Sequence, residues 1–324
     1  MPKSRLVAFP LIGLLAVASA SLAAAGDNYP ARPVRIIAGE PGAINDITTR
    51  LIAQGLTASL SQQVVVDNRG GAGGAIAGEI VARAAPDGYT LISYGSSLWL
   101  APFLRDGVSY DPVKDFSPIT LAVSSPVVLV VQPSAPANST AELIALAKAK
   151  PGTLNYGSGG AGTTPHLAME LFKARAGVNI VRIPYKGVGP ALNDMLGGQL
   201  QVMIITAGSA TPHLKSGKLK GLAVGSSAPS PLAPGLPTIA ATGLPGYEFA
   251  SIWGIFGPAK TPLPVIQRLS REIARILSRP DVKAKFMNAG VEAIGSGPDR
   301  LAAAVRTEMT TLGKLIKDLG IRSD

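Results

Sequence analysis

Apolar positions along the chain alternate between two periods, one typical of strands and one of helices. Val34-Arg35-Ile36-Ile37 reads as a strand. The segment from about Asn45 to Leu60 places Ile47, Leu51, Ile52 and Leu56 on one helical face. Gln63 to Val66 is a second strand, Ile76 to Ala85 a second helix, and Tyr89 to Tyr94 a third strand behind the turn Pro86-Asp87-Gly88. The same grammar continues with strand Val127 to Val131 and helix Thr140 to Lys150, stopped by Pro151-Gly152. Strand Leu154 to Tyr156, helix Pro165 to Ala176, strand Ile180 to Ile183 and helix Pro190 to Leu196 follow. Strands Val202 to Ile205 and Leu219 to Val224 come next. A proline-studded stretch over 226–237 predicts an extended arm. Strand Ile252 to Phe256 and helices over Pro264 to Ser278, Asp281 to Asn288 and Pro298 to Leu319 end the chain. Trp253 and Phe256 are expected in the core or at an inter-domain seam. This alternation predicts an α/β fold with mainly parallel strands.

The first 25 residues stand outside that pattern. Lys3 and Arg5 precede an apolar run from Leu6 to Ala18, and small residues lead to Ala23-Ala24-Ala25. A charged start, a short apolar stretch and an A-x-A site predict a secretory signal cleaved after Ala25. The run is shorter than a membrane-spanning helix needs and is interrupted by Pro10 and Gly13.

Composition narrows the chemistry. The 324 residues hold no cysteine and two histidines, which excludes disulfides, thiol nucleophiles and thiolate metal sites and leaves little for a histidine-rich one. The net charge is +10; removal of the signal, which carries two basic residues and no acidic one, leaves +8. Basic residues are scattered, with no basic-aromatic stripe, so nucleic acid is not an expected partner. The charge instead favours small anions.

Two glycine clusters raise the question of phosphate binding. Asn68-Arg69-Gly70-Gly71-Ala72-Gly73-Gly74 fits neither a dinucleotide fingerprint nor a P-loop and reads as a tight turn. Gly157-Ser158-Gly159-Gly160-Ala161-Gly162 matches G-x-G-x-x-G, with Arg182 where a 2′-phosphate partner would fall. An NADP enzyme is therefore one reading. An export signal and the loop's position in mid-chain favour another, a nest of backbone N–H groups for a carboxylate, with no cofactor. Ser158 and His166 lack a third partner for nucleophilic catalysis, so no enzyme is expected.

Several stretches together resemble one family, the tripartite tricarboxylate transporter substrate-binding proteins, also called Bug receptors. They are Tyr29-Pro30-Ala31-Arg32-Pro33, Val64 to Gly74, Pro86-Asp87-Gly88-Tyr89-Thr90-Leu91, Tyr110-Asp111-Pro112, Leu154 to Ser158, Pro184-Tyr185-Lys186-Gly187, Gly243-Leu244-Pro245-Gly246 and Trp253-x-Gly. The resemblance implies a monomeric periplasmic receptor with a two-lobed, type II-like flytrap fold. Lobe 1 would comprise 26–124 plus 248–324, and lobe 2 would comprise 125–247. It would hold a small carboxylate in the inter-lobe cleft and deliver it to membrane transporter subunits, or signal its presence to a sensor protein. Carried over by motif, the ligand residues are Gly42, Ala43 and Asp46 in lobe 1. In lobe 2 they are Ser158, Gly159, Gly160, Gly162, Thr163, Thr164 and His166. Ser96 and Ser97, at the carboxyl end of the third strand, are expected to join them.

The family pattern is broken at Gly39, Glu40, Ala43, Arg182, Ile205 and Ala241. A carboxylate at Glu40 would pair with a ligand amine and disfavour a multiply charged anion, or else point to solvent. Asp46, in the first turn of its helix, is a candidate for capping as well as for the cleft.

Overall fold

The computed structural model describes residues 29–323, so the signal expected over 1–25 lies outside the described residues. In the first half of the fold, β1 (Val34–Ala38) leads into α1 (Ile44–Leu60), β2 (Val64–Asn68) into α2 (Ala75–Ala82), and β3 (Thr90–Gly95) into α3 (Ser96–Leu104). β1 lies between β2 and β3, parallel to both. The 16-residue β4 (Phe116–Val131) then carries the chain into the second half. There α4 (Thr140–Ala149), β5 (Asn155–Ser158), α5 (Thr164–Ala176), β6 (Val181–Pro184) and α6 (Val188–Leu196) precede β7 (Val202–Thr206), α7 (Ala207–Lys215) and β8 (Lys220–Val224). β5 runs parallel to β6 and β7. β9 (Ala250–Pro258) returns to the first half, where α8 (Leu263–Ser278), α9 (Pro280–Asn288), β10 (Glu292–Ala293) and α10 (Pro298–Asp318) complete the chain.

Parallel pairing, expected to predominate, is confined to the outer strands. β4 and β9 carry the chain out and back, so they run antiparallel to each other and to their other partners β3, β7, β8 and β10. The sheet is therefore mixed. β4 pairs with β9 through its first part and with β7 and β8 from Val127 onward, a continuous span across the two halves.

Both sheet faces are covered, which explains the unbroken apolar strands. Ile36 belongs to the cluster formed with Ile52, Leu56, Leu269 and Ile273 of α1 and α8, whereas its neighbour Ile37 faces Trp99 and Leu301 of α3 and α10. α1 and α8 approach closely at Gly55, where an added methyl would lie 2.6 Å from Ile276. In the second half Val128 and Val130 face one cluster, Leu129 and Val131 the other. α4 starts as expected: the Ser139 hydroxyl accepts from the Glu142 N–H at 3.2 Å, and the Glu142 carboxylate accepts from the Asn138 N–H at 2.8 Å. No helix or strand forms over 226–237, in keeping with its prolines.

Among the described residues, the helices α3 and α7 and the strand β10 were not expected, nor was a 3-10 turn over 240–242. Ser96 and Ser97 accordingly open a helix and do not extend the third strand.

Candidate functional site

A cleft of about 580 Å³ lies where the two halves meet. Its walls are built by the first turns of helices that follow strands: the 39–45 loop into α1, Gly95-Ser96-Ser97 into α3, Gly162-Thr163-Thr164 into α5, and Thr206 to Ser209 into α7. None of the N-cap residues Ala43, Gly95, Thr163 and Thr206 caps its helix through a side chain. First-turn N–H groups thus remain free, and four helix dipoles present their positive ends to one cavity. Ser125 of β4 and Ser251, Ile252 and Trp253 of β9 form the wall where the chain crosses between halves.

The expected site residues divide into those on this wall and those off it. Ala43, Ser96, Ser97, Gly162, Thr163 and Thr164 line the cleft. The Thr163 hydroxyl donates to the Gly160 carbonyl at 2.9 Å, which tightens the turn, and Thr164 shares a 2.8 Å hydroxyl–hydroxyl bond with Ser251 across the two halves. Of the others, none of which is on the wall, Asp46, Ser158, Gly159 and His166 are buried behind it, and Gly42 and Gly160 are exposed on the same loops. Asp46 is buried, accepts from the Gly42 N–H at 2.9 Å and the Asn68 amide at 2.8 Å, and pairs with Arg50 at 2.9 Å. Burial alone would raise its pKa, but these donors together hold it below the ordinary carboxylate value.

The glycine loop has its own internal scaffold. His166 Nδ1 accepts from the Gly162 N–H at 3.2 Å. Burial, reinforced by the Arg182 charge, lowers its pKa to about 4, so the ring is neutral and can act as that acceptor. The Ser158 hydroxyl donates to the Gly159 carbonyl at 3.1 Å and accepts from Arg182 Nε at 2.8 Å. A second guanidinium nitrogen of Arg182 bonds the Gly159 carbonyl at 2.9 Å. Arg182 therefore braces the loop from behind; its donors point into the fold.

Other wall residues escaped the sequence reading. Asn45 fixes the first loop by accepting from the Gly39 N–H at 2.7 Å and donating to the Ser93 carbonyl at 2.9 Å. Thr206 and Ser209 repeat the strand–hydroxyl–glycine–helix pattern of 158–164, a signal that was present. Tyr94, at the end of the third strand, and Trp253, expected in the core or at a seam between domains, add aromatic surface together with Phe249, for which the sequence offers no comparable sign.

Residues 48–321 match the profile described as the tripartite tricarboxylate transporter family receptor. The chain belongs to this family. Protein BugT of Bordetella pertussis is 35% identical over 327 residues, covering 99% of each chain. A Rhodopseudomonas palustris protein solved with adipate superposes with a TM-score of 0.75 at 35% identity, covering 91% of this chain and 99% of its own. The periplasmic binding protein BugD superposes at 0.72 with 33% identity, over 91% and 100% of the two chains. The family is one of solute-binding receptors, and its solved members share this α/β binding fold.

Of the six departures from the family pattern, Gly39, Glu40 and Ala43 lie on the cleft wall. Arg182 braces the loop from behind, Ile205 is fully buried in the core of the second half, and Ala241 is exposed.

Proposed function

We propose that this protein is exported to the periplasm, captures a small carboxylate in the cleft, and delivers it to a tripartite tricarboxylate-type transporter in the membrane. The convergence of four helix N-termini on one cavity carries the reading: backbone N–H groups and helix dipoles hold a carboxylate without a buried cation. Adipate in the R. palustris relative supports the ligand class. The rigid bodies are lobe 1, residues 26–124 plus 248–324, and lobe 2, residues 125–247. β4 and β9 form the hinge about which a monomer closes. The protein binds and releases its solute without transforming it, since Ser158 and His166 are both engaged in shaping their loop. An NADP site is disfavoured because Arg182 spends its donors on Ser158 and Gly159.

The test is native mass spectrometry of protein isolated from periplasmic extract, followed by thermal-shift titration against a panel of mono-, di- and amino-carboxylates. A retained or stabilising carboxylate is expected. A panel that gives no shift, with no retained carboxylate, defeats the proposal.

A further inference from the structure

Glu40 contributes the single charged side chain among those lining the cleft. It is exposed, and none of the hydrogen bonds or ion pairs among the described residues engages its carboxylate. Of the arginines near it in the fold, Arg50 pairs with Asp46, while Arg35 and Arg69 share Asp67 and so leave one positive charge in excess, but none of the three bonds Glu40. A methyl placed on Gly70 would overlap the Glu40 carboxylate, so the two are in contact. The side chain is thus laid across the Gly70 backbone at one end of the cavity. Tyr94 stands beside it, its hydroxyl pushed above the ordinary pKa first by burial and then by the Glu40 charge.

The cleft is therefore polarised. Three of its helix N-termini, those of α3, α5 and α7, offer positive dipole ends and hydroxyls to an anion. At the Glu40 end a second anionic group would meet a carboxylate that no protein cation bonds. An ammonium there would gain a charge-assisted hydrogen bond, with the Tyr94 and Trp253 rings available to its alkyl chain.

We propose that the cleft selects solutes with a carboxylate at one end and an ammonium at the other, in preference to dicarboxylates, and that Glu40 is the residue that sets this preference. The inference rests on the carboxylate-receptor reading above and narrows its substrate class. It departs from the adipate-bound relative, whose ligand is a dicarboxylate.

Titration calorimetry on the purified protein tests it, with three matched series of four to six carbons: ω-amino acids, dicarboxylates and methyl-terminated acids. One charge-assisted bond predicts that an ω-amino acid binds about tenfold more tightly than its dicarboxylate counterpart. In Glu40→Gln that gap closes to about threefold or less, while the methyl-terminated acids keep their affinity. The variant should fold, since the Glu40 side chain bonds to nothing in the protein, and an unchanged melting temperature verifies this. Dicarboxylates binding as tightly as the amino acids, or an amine preference that survives in Glu40→Gln, would overturn the assignment and leave the carboxylate receptor standing. Absence of binding by all three series would overturn both.

Discussion

Gly162 shows how much the site asks of a single residue. It sits at φ +78°, a conformation that residues with a Cβ rarely adopt, and an added methyl would lie 2.6 Å from Leu104 of the opposite half. Gly159, in the same loop, has no such constraint: its added methyl would meet Thr163 at an ordinary 3.5 Å. Gly162→Val is expected to weaken carboxylate binding at least about tenfold, through loss of loop shape and close approach. Gly159→Ala should stay within about threefold of wild type. Calorimetry on the two variants decides it; equal affinities would remove Gly162 from the site. The sequence distinguished loop from helix well at this scale but not the direction of each side chain. Asp46, Ser158 and His166 were all legible as members of cleft loops. Asp46 is held in part by Asn68, and Ser158 by Arg182, residues on other strands that come to them only by folding.

Between elements, the packing of α3 against α10 holds the first turn of α3 in the cleft. Gly313 lets Phe103 approach to about contact distance, and Trp99 Nε1 donates to the Glu308 carboxylate at 2.8 Å. Burial raises the Glu308 pKa to about 7, against the opposing pull of hydrogen bonds from Ser96 and Trp99. The folded protein thus retains a proton that the unfolded chain releases near 4.5. The group's contribution to stability is complete below the unfolded value and is lost as pH rises through about 7. Glu308→Gln keeps an acceptor for Trp99 and removes the buried charge. It is expected to melt several degrees above wild type at pH 8 and within about a degree of it at pH 4.5. Scanning fluorimetry across that range reads the difference; a constant offset at both ends would mean that titration plays no part. α3 itself was illegible because Ser96-Ser97-Leu98-Trp99-Leu100-Ala101-Pro102 is apolar on nearly every side, so it has no helical period and contains a proline. α7, with Gly208 and Pro212, is a weak helix former that tertiary packing imposes. β4 was seen only as its apolar second half, since Pro118 interrupts the first; there the register with β9 shifts, and the bulge accommodates it.

For the whole molecule, the alternation of strands and helices was enough to give the layered α/β architecture, and the motif order gave the family. The mixed character of the sheet was not legible, because strand direction in the middle depends on where the chain crosses between halves. That crossing also defines what can move. Beside it, the α7 backbone at Gly208 rests against Gly290 of the first half: a methyl at Gly208 would lie 3.0 Å from the Gly290 Cα. The Gly290 carbonyl also accepts from Ser125 of β4 at 2.9 Å, so the contact is tied to a crossing strand. If the halves close as rigid lobes about β4 and β9, this glycine pair is where their backbones must meet near the pivot. Gly208→Val would then hold them apart there while leaving each half's core intact. X-ray scattering should record a decrease in radius of gyration when wild-type protein takes up its solute, and little or no decrease for Gly208→Val. Affinity should fall with it, because a carboxylate would then reach the N-termini of one half without those of the other. A variant that closes and binds like wild type would show that the glycine contact is passive and that the pivot lies in the strands alone.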